Sequence, residues 1–338
     1  MTTIEYHVLG KTGLSVSLMG FGGIPIQKVD EKGAVALVDS LLAHGVNFID
    51  TARAYTVSEA LLGKALEGRR DKFILASKSM AKTAETMRVD IETSLKNLRT
   101  DYIDLYQIHN IAPDKMEAMF AEGGLLEALF EAKAKGKIRH IGITAHSLET
   151  FRMALTYDFV ETIMFPYNIV ETQGEALIAE CKKRNIGFIC MKPLAGGAIE
   201  NPTLALRFIC QNPALSVVIP GMATQEEIEI NCVAVNDRTS LSERELQEIE
   251  KIRKELGTNF CRRCNYCAPC SVGINIPSVF LFSGYIERYG LESWARERYA
   301  TLPNKASACV ECGVCETRCP YHLPIRNMMK KSAKEFGE

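Results

Sequence analysis

Up to residue 256, short apolar runs alternate with longer stretches of helical period. The runs Ser17–Gly22, Asn47–Thr51, Phe73–Lys78, Ile103–His109, His140–Ala145, Thr162–Asn168, Gly187–Pro193 and Ser216–Pro220 predict strands. Between them, Asp30–His44, Thr83–Leu98, Gly124–Lys135 and Gly174–Arg184 place apolar residues three and four positions apart, which predicts amphipathic helices. Eight such units in succession predict an α/β fold, a (β/α)8 TIM barrel. An open doubly wound sheet shows the same alternation. The even spacing, and the lack of a G-x-G-x-x-G motif after the first strand, count against it.

A charged amphipathic helix, Leu241–Leu256, follows, and the texture changes at Gly257. From there cysteines dominate, with two short helical stretches, Ser278–Tyr289 and Leu291–Ala300, between two groups of them. The chain has 338 residues, 47% of them apolar, which is enough to bury two cores. Its 40 basic and 41 acidic side chains leave a net charge of −1, so neither nucleic acid nor a membrane surface is expected as a partner. Met1–Val8 lacks the basic segment and apolar run of a secretory signal, and a cytoplasmic location is expected.

Eight of the 12 cysteines lie between Cys261 and Cys319, in two tight groups that point to metal chemistry in a reducing compartment. The second group, Cys309-x2-Cys312-x2-Cys315-x3-Cys319-Pro320, matches the run of bacterial ferredoxins, whose fourth cysteine serves the other cluster. The first, Cys261-x2-Cys264-x2-Cys267-x2-Cys270, is one residue shorter in its last gap. Two [4Fe-4S] clusters are expected, one on Cys261, Cys264, Cys267 and Cys319, the other on Cys309, Cys312, Cys315 and Cys270. Structural zinc prefers C-x2-C pairs separated by a longer loop, which two even runs of four do not resemble. The predicted organisation is a TIM barrel over residues 1–256 and a small α-helical, ferredoxin-like iron–sulfur domain over 257–338. Cys181, Cys190, Cys210 and Cys232 are scattered through the barrel and read as buried small side chains.

Chemistry in such a barrel sits where strands end on the C-terminal face. Asp50, Lys78 and His109 close three consecutive predicted strands, one βα unit apart, and Tyr55 stands in the loop just after the first of them. Phe48-Ile49-Asp50-Thr51-Ala52-Arg53-Ala54-Tyr55, Ala76-Ser77-Lys78 and Tyr106-Gln107-Ile108-His109 resemble the signatures of the aldo-keto reductase family. The resemblance covers about residues 4–256 and, with the cysteine runs, points to a ferredoxin-like subgroup carrying a C-terminal two-[4Fe-4S] domain. It implies a catalytic tetrad of Asp50, Tyr55, Lys78 and His109. Carbonyl reduction places negative charge on oxygen, so a proton donor must stand beside it. A tyrosine hydroxyl, with a reference pKa of about 10, becomes a better acid beside an ammonium group. Lys78 fits that task, Asp50 would hold the lysine, and His109 would orient the substrate oxygen or relay the proton. His44, His140 and His146 have no such company and read as structural, although His146 follows the fifth strand closely enough to touch a ligand.

The resemblance also implies a dinucleotide laid across the last strands. Lys192, Pro193, Leu194 and Gly196 after the seventh strand, Gly221 after the eighth, Asn231 in the next helix and Gly22 at the end of the first are the candidate contacts. Thr144 and Asn168 keep polar character where the family holds the nicotinamide carboxamide, but Ala145, Met164 and Met191 replace the expected Asn, Gln and aromatic residues. Gly221–Ile230 contains no basic residue and has Glu226, Glu227 and Glu229. Carboxylates repel a 2′-phosphate and accept from ribose hydroxyls, so NADH is expected to do at least as well as NADPH, with Glu227 among the contacts.

The expected function is an oxidoreductase acting on a small carbonyl or alcohol, with the clusters carrying electrons and a ferredoxin or other electron carrier as candidate partner. Hydride moves two electrons together and clusters pass them singly, so the weakened nicotinamide contacts leave room for an FMN in the same pocket. A flavin-linked reductase and a cluster-based redox sensor are the alternatives. Arg53 and Lys192 are candidates to bind an acid group of the substrate.

Overall fold

The computed structural model describes residues 4–257 and 259–338. They pack as two compact units. One comprises the chain up to Asn168 with Thr172–Pro193 and Asn201–Leu241; the other comprises Ser242–Glu338 with two short loop segments, Ile169–Glu171 and Leu194–Glu200. The boundary expected after residue 256 falls at the end of the helix Glu243–Gly257, which groups with the C-terminal unit.

The first unit is an eight-stranded barrel: β1 (Gly20–Gly22), β2 (Phe48–Asp50), β3 (Ile74–Ser79), β4 (Ile103–Ile108), β5 (Ile138–Thr144), β6 (Thr162–Pro166), β7 (Gly187–Met191) and β8 (Val217–Ile219). Each strand pairs in parallel with its neighbour in the chain. Bridges from Met19 to Val218 and from Gly22 to Gly221 join the first strand to the last. Closure there needs bare backbone: a Cβ on Gly22 would sit 2.9 Å from the carbonyl oxygens of Ile219 and Pro220. The strands are short apolar runs because both of their faces are buried, one in the barrel and one under helices.

Side chains two positions apart on a strand share a face. Phe48, Ala76, Leu105, Met164, Ile189, Val217 and Ile219 form one interior cluster. Asp50 follows Phe48 by two positions, Lys78 follows Ala76, and Gln107 follows Leu105. The register pairs Asp50 with Ala76 and Lys78 with Gln107. An apolar interior is thus topped by a polar layer at the C-terminal strand ends.

The same interior cluster includes Leu9 and Val16 from a hairpin, Tyr6–Val8 against Ser15–Ser17, that the apolar pattern did not single out. Its strands have three residues each, too few to show a period. Gly10, at φ 53°, bridges to Ile186 just before β7, so the hairpin closes the N-terminal end of the barrel. The helices Glu31–Ala43, Ala84–Leu98, Leu125–Ala134 and Glu175–Lys183 lie where the periodicity places them. Asp30 and Thr83 cap the first two, their side chains accepting from the N–H groups of Gly33 and Thr86.

The second unit is helical, built from Glu243–Gly257, Ile276–Glu287, Glu292–Ala300 and Ile325–Phe336; the longer segments that carry the cysteines connect the first to the second and the third to the fourth, the latter with the short helices Ala306–Ala308 and Val314–Thr317. Its core combines Ile276, Val279, Phe280, Tyr299, Leu323, Ile325 and Met329 with the thiols of Cys267 and Cys319. The last helix, Ile325–Phe336, was not anticipated from the sequence. Among the described residues no helix is long and apolar enough to cross a membrane.

Candidate functional site

Lys78 and Asp50 are each 2% exposed, at the polar top of the barrel interior. The Lys78 ammonium donates to Asp50 Oδ2 at 2.5 Å and to the Thr51 carbonyl at 2.8 Å. Its Nζ lies 4.8 Å from the centre of the Tyr55 ring. Tyr55 and His109 are half-buried, and their rings meet edge-on with centroids 6.1 Å apart. All four residues therefore meet at one place. Burial is the largest influence on the ion pair: it raises the Asp50 carboxyl and lowers the Lys78 ammonium, while the attraction between their charges opposes both shifts.

Gln107 belongs to this group and was missed. Its Nε2 donates to Asp50 Oδ1 at 3.1 Å, so each Asp50 oxygen has a donor. The signal was available, since Gln107 stands two positions before His109 and shares its face. Arg53 is held by carboxylates of the barrel. Its guanidinium donates to the buried Glu59 at 2.7 Å and stands 3.7 Å from Asp90. Glu59 also accepts from Ser77 and Ser94 at 2.7 Å, so Arg53 belongs to a network that ties the loop after β2 to β3.

The candidate dinucleotide contacts divide among several roles. Thr144 Oγ accepts from the Asn110 N–H at 2.7 Å, and Asn168 is fully buried, donating to the Lys192 carbonyl at 2.9 Å. Lys192 has φ 55°, a left-handed conformation just before Pro193. Leu194 and Gly196 group with the second unit, where the Gly196 carbonyl accepts from Arg288 Nε at 2.8 Å. Gly22 and Gly221 have a packing reason to lack side chains: they form the barrel seam, and a Cβ on Gly221 would meet the Pro25 ring at 2.8 Å. Asn231 is buried in the helix Gln225–Asn236.

Glu227 caps a helix. Its carboxylate accepts from the N–H groups of Ala223 at 2.6 Å and Thr224 at 3.1 Å, and Thr224 reciprocates in a capping box. Glu227 is as exposed as Glu226 and Glu229, but its carboxylate is already engaged at the start of the helix. The barrel thiols of Cys181, Cys210 and Cys232 are buried, and burial pushes each up to about 12. Cys190 donates to the Tyr167 carbonyl at 3.1 Å. All four are packing residues.

In the second unit the eight remaining thiols ring two cavities. One is walled by Cys261, Cys264, Cys267 and Cys319 with Ile276, Phe280, Leu323 and Ile325. The other is walled by Cys270, Cys309, Cys312 and Cys315 with Ile274, Ile276 and Met329. Each fourth thiol comes from the opposite run. Among the described residues, no group of three or more His, Cys, Asp or Glu is arranged to hold a single metal ion. Within the runs, Arg263, Asn265, Glu311 and Gly313 have φ of 57°, 67°, 55° and 77°. Left-handed residues of this kind turn N–H groups toward a common centre, as anionic phosphate and iron–sulfur groups require. Four soft thiol ligands, apolar walls and left-handed turns within the runs fit an iron–sulfur cluster in each cavity.

Residues 18–203 match the aldo/keto reductase family, and residues 260–324 match the 4Fe-4S dicluster domain. The chain is 31% identical over 306 residues to L-galactose dehydrogenase of Arabidopsis thaliana, covering 75% of this chain and 95% of that one. It is 34% identical over 228 residues to the aldo-keto reductase YhdN of Bacillus subtilis, covering 59% and 66%. Among solved structures, the holo form of an aldo-keto reductase from Bacillus halodurans superposes with a TM-score of 0.64 at 26% identity, covering 74% of this chain and 96% of that one.

Proposed function

We propose that this chain, which belongs to the aldo/keto reductase family and is an oxidoreductase of that type with a 4Fe-4S dicluster domain, interconverts a small carbonyl and its alcohol. The observation that carries this reading is the buried Lys78 ammonium, held by Asp50 on one side and facing the Tyr55 ring at 4.8 Å on the other. A bound nicotinamide would supply the hydride, which with one proton completes the reduction, and two [4Fe-4S] clusters held by the eight thiols would carry single electrons outside that step. The residues of the chain handle the proton. Tyr55 donates it to the substrate oxygen as negative charge develops there. Lys78 favours the resulting phenolate. Asp50, fixed by Gln107, keeps the lysine charged and aimed, and His109 orients the carbonyl oxygen beside Tyr55.

The exposed Glu226 and Glu229 favour a dinucleotide without a 2′-phosphate, so NADH serves at least as well as NADPH. The likeness to L-galactose dehydrogenase makes aldoses the first substrates to try. Iron–sulfur ligation by eight cysteines fits a reducing compartment, the cytoplasm, and a ferredoxin-type carrier is the partner that matches one-electron clusters. The reading is tested by anaerobic turnover of an aldose and aldehyde panel with NADH and NADPH, together with analysis of bound cofactors. Dinucleotide-dependent turnover is expected. No turnover with either dinucleotide, together with release of FMN on heating, would replace this reading by the flavin-linked one.

A further inference from the structure

A cavity of about 280 Å³ lies within the second unit beside Cys261, walled by Arg263, Arg288, Lys331, Glu287 and Ser283 among others. Glu287, the wall's one carboxylate among the described residues, is shared by Lys331 at 2.5 Å and Arg288 Nη1 at 3.9 Å, so three cations face a single anion. Arg288 is fixed by its bond from Nε to the Gly196 carbonyl and by packing on bare backbone: a Cβ on Gly284 would sit 1.9 Å from its Nη2. The Arg263 side chain is only 9% exposed, and its Nε and Nη2 are buried with no hydrogen-bond partner among the described residues. Glu171, outside the cavity wall, forms an ion pair with Nη2 at 3.8 Å, beyond hydrogen-bond reach.

A buried guanidinium with two unused donors is costly unless something accepts from it. Two arginines on one cavity also repel each other, and an anion between them relieves both penalties. Nε and one Nη form the edge that matches two oxygens of a carboxylate or phosphate. From these observations we propose that this cavity is an oxyanion site, bound in bidentate fashion by Arg263 and neutralised by Arg288. The ligand class is a carboxylate or phosphate, free or as the anionic end of a larger molecule. Because the site adjoins Cys261, its occupancy places negative charge next to a cluster ligand. The inference does not depend on the carbonyl chemistry of the barrel.

The test is calorimetric titration of the anaerobically purified full chain, with iron and sulfide measured, using inorganic phosphate and acetate as separate probes. Saturable binding of at least one is expected, and the tighter of the two identifies the group recognised. Arg263→Gln and Arg288→Gln should each weaken binding about tenfold or more. Arg288 is remote in sequence from the cysteines, so its variant decides the matter if Arg263→Gln loses iron. Absence of heat with both probes would overturn the proposal, as would affinities that Arg288→Gln leaves unchanged. A changed cluster spectrum in Arg263→Gln without anion binding would assign its donors to the cluster and overturn it too.

Discussion

The Lys78 ammonium lies 2.5 Å from the Asp50 carboxylate, and both side chains are sealed inside the barrel. Removing one member of a buried pair strands the other, which typically costs ~3–5 kcal/mol. Lys78→Met should therefore lower barrel stability by about that much, and adding Asp50→Asn should restore part of it without restoring turnover. Denaturant melts of the single and double variants check this. A single variant as stable as the parent would mean that the carboxyl is already neutral in the fold.

Tyr55→Phe removes only a hydroxyl from a half-buried ring. Turnover should fall by about 10²–10⁴, the usual worth of a general acid, with fold and iron content intact. Single-turnover rates with saturating dinucleotide are the measurement. An unchanged rate would move the proton donor elsewhere, with His109 the first alternative.

Nucleotide preference should respond to Glu226 and not cleanly to Glu227. Glu226→Arg places a cation on the exposed first turn of the helix Gln225–Asn236 and should shift the NADPH to NADH ratio of kcat/KM upward. Glu227→Arg breaks the capping box as well, at a cost of about 1 kcal/mol. Comparing the melting temperature and cofactor ratio of both variants separates the two effects.

The thiol sets cross between the two runs, so Cys319→Ser should impair the cluster of Cys261, Cys264 and Cys267 while sparing the one beside it in sequence. Cys270→Ser should do the converse. Anaerobic protein should carry close to eight irons and eight sulfides, falling by about half in each variant. The cores of the second unit include ligand thiols, so chelation should unfold it while the barrel persists. Circular dichroism with proteolytic mapping would show whether the barrel survives.

Acid sensitivity of the barrel should be concentrated at Glu161. Burial acts to raise this carboxyl, but hydrogen bonds from His140, Lys133 and the Ile141 N–H outweigh it and hold it at about 2, below the ordinary 4.5. A depressed carboxyl adds stability above its unfolded pKa, and that stability is lost as pH falls through the folded one. Glu161→Gln should therefore lower stability near neutrality and flatten its decline between 4.5 and about 2. Equal slopes for parent and variant in that window would show that Glu161 is not the group responsible.

The sequence alone determined the order of strands and helices in the barrel, because hydrophobic period and turn residues are local properties of the chain. It also brought Asp50, Lys78 and His109 to one rim, since residues two apart on a strand share a face and parallel strands end together. Cysteine spacing similarly announced thiol chemistry. Tertiary structure alone decided how polar groups with several possible partners were used. Arg53 went to Glu59, Glu227 to the turn it caps, and Gln107 to Asp50. It also set the hairpin under the barrel, whose strands are too short to show a period, and the barrel seam at Gly22 and Gly221. A charged or amide side chain satisfies its hydrogen bonds with whatever the fold brings within about 3 Å, and that neighbour is commonly dozens of residues away.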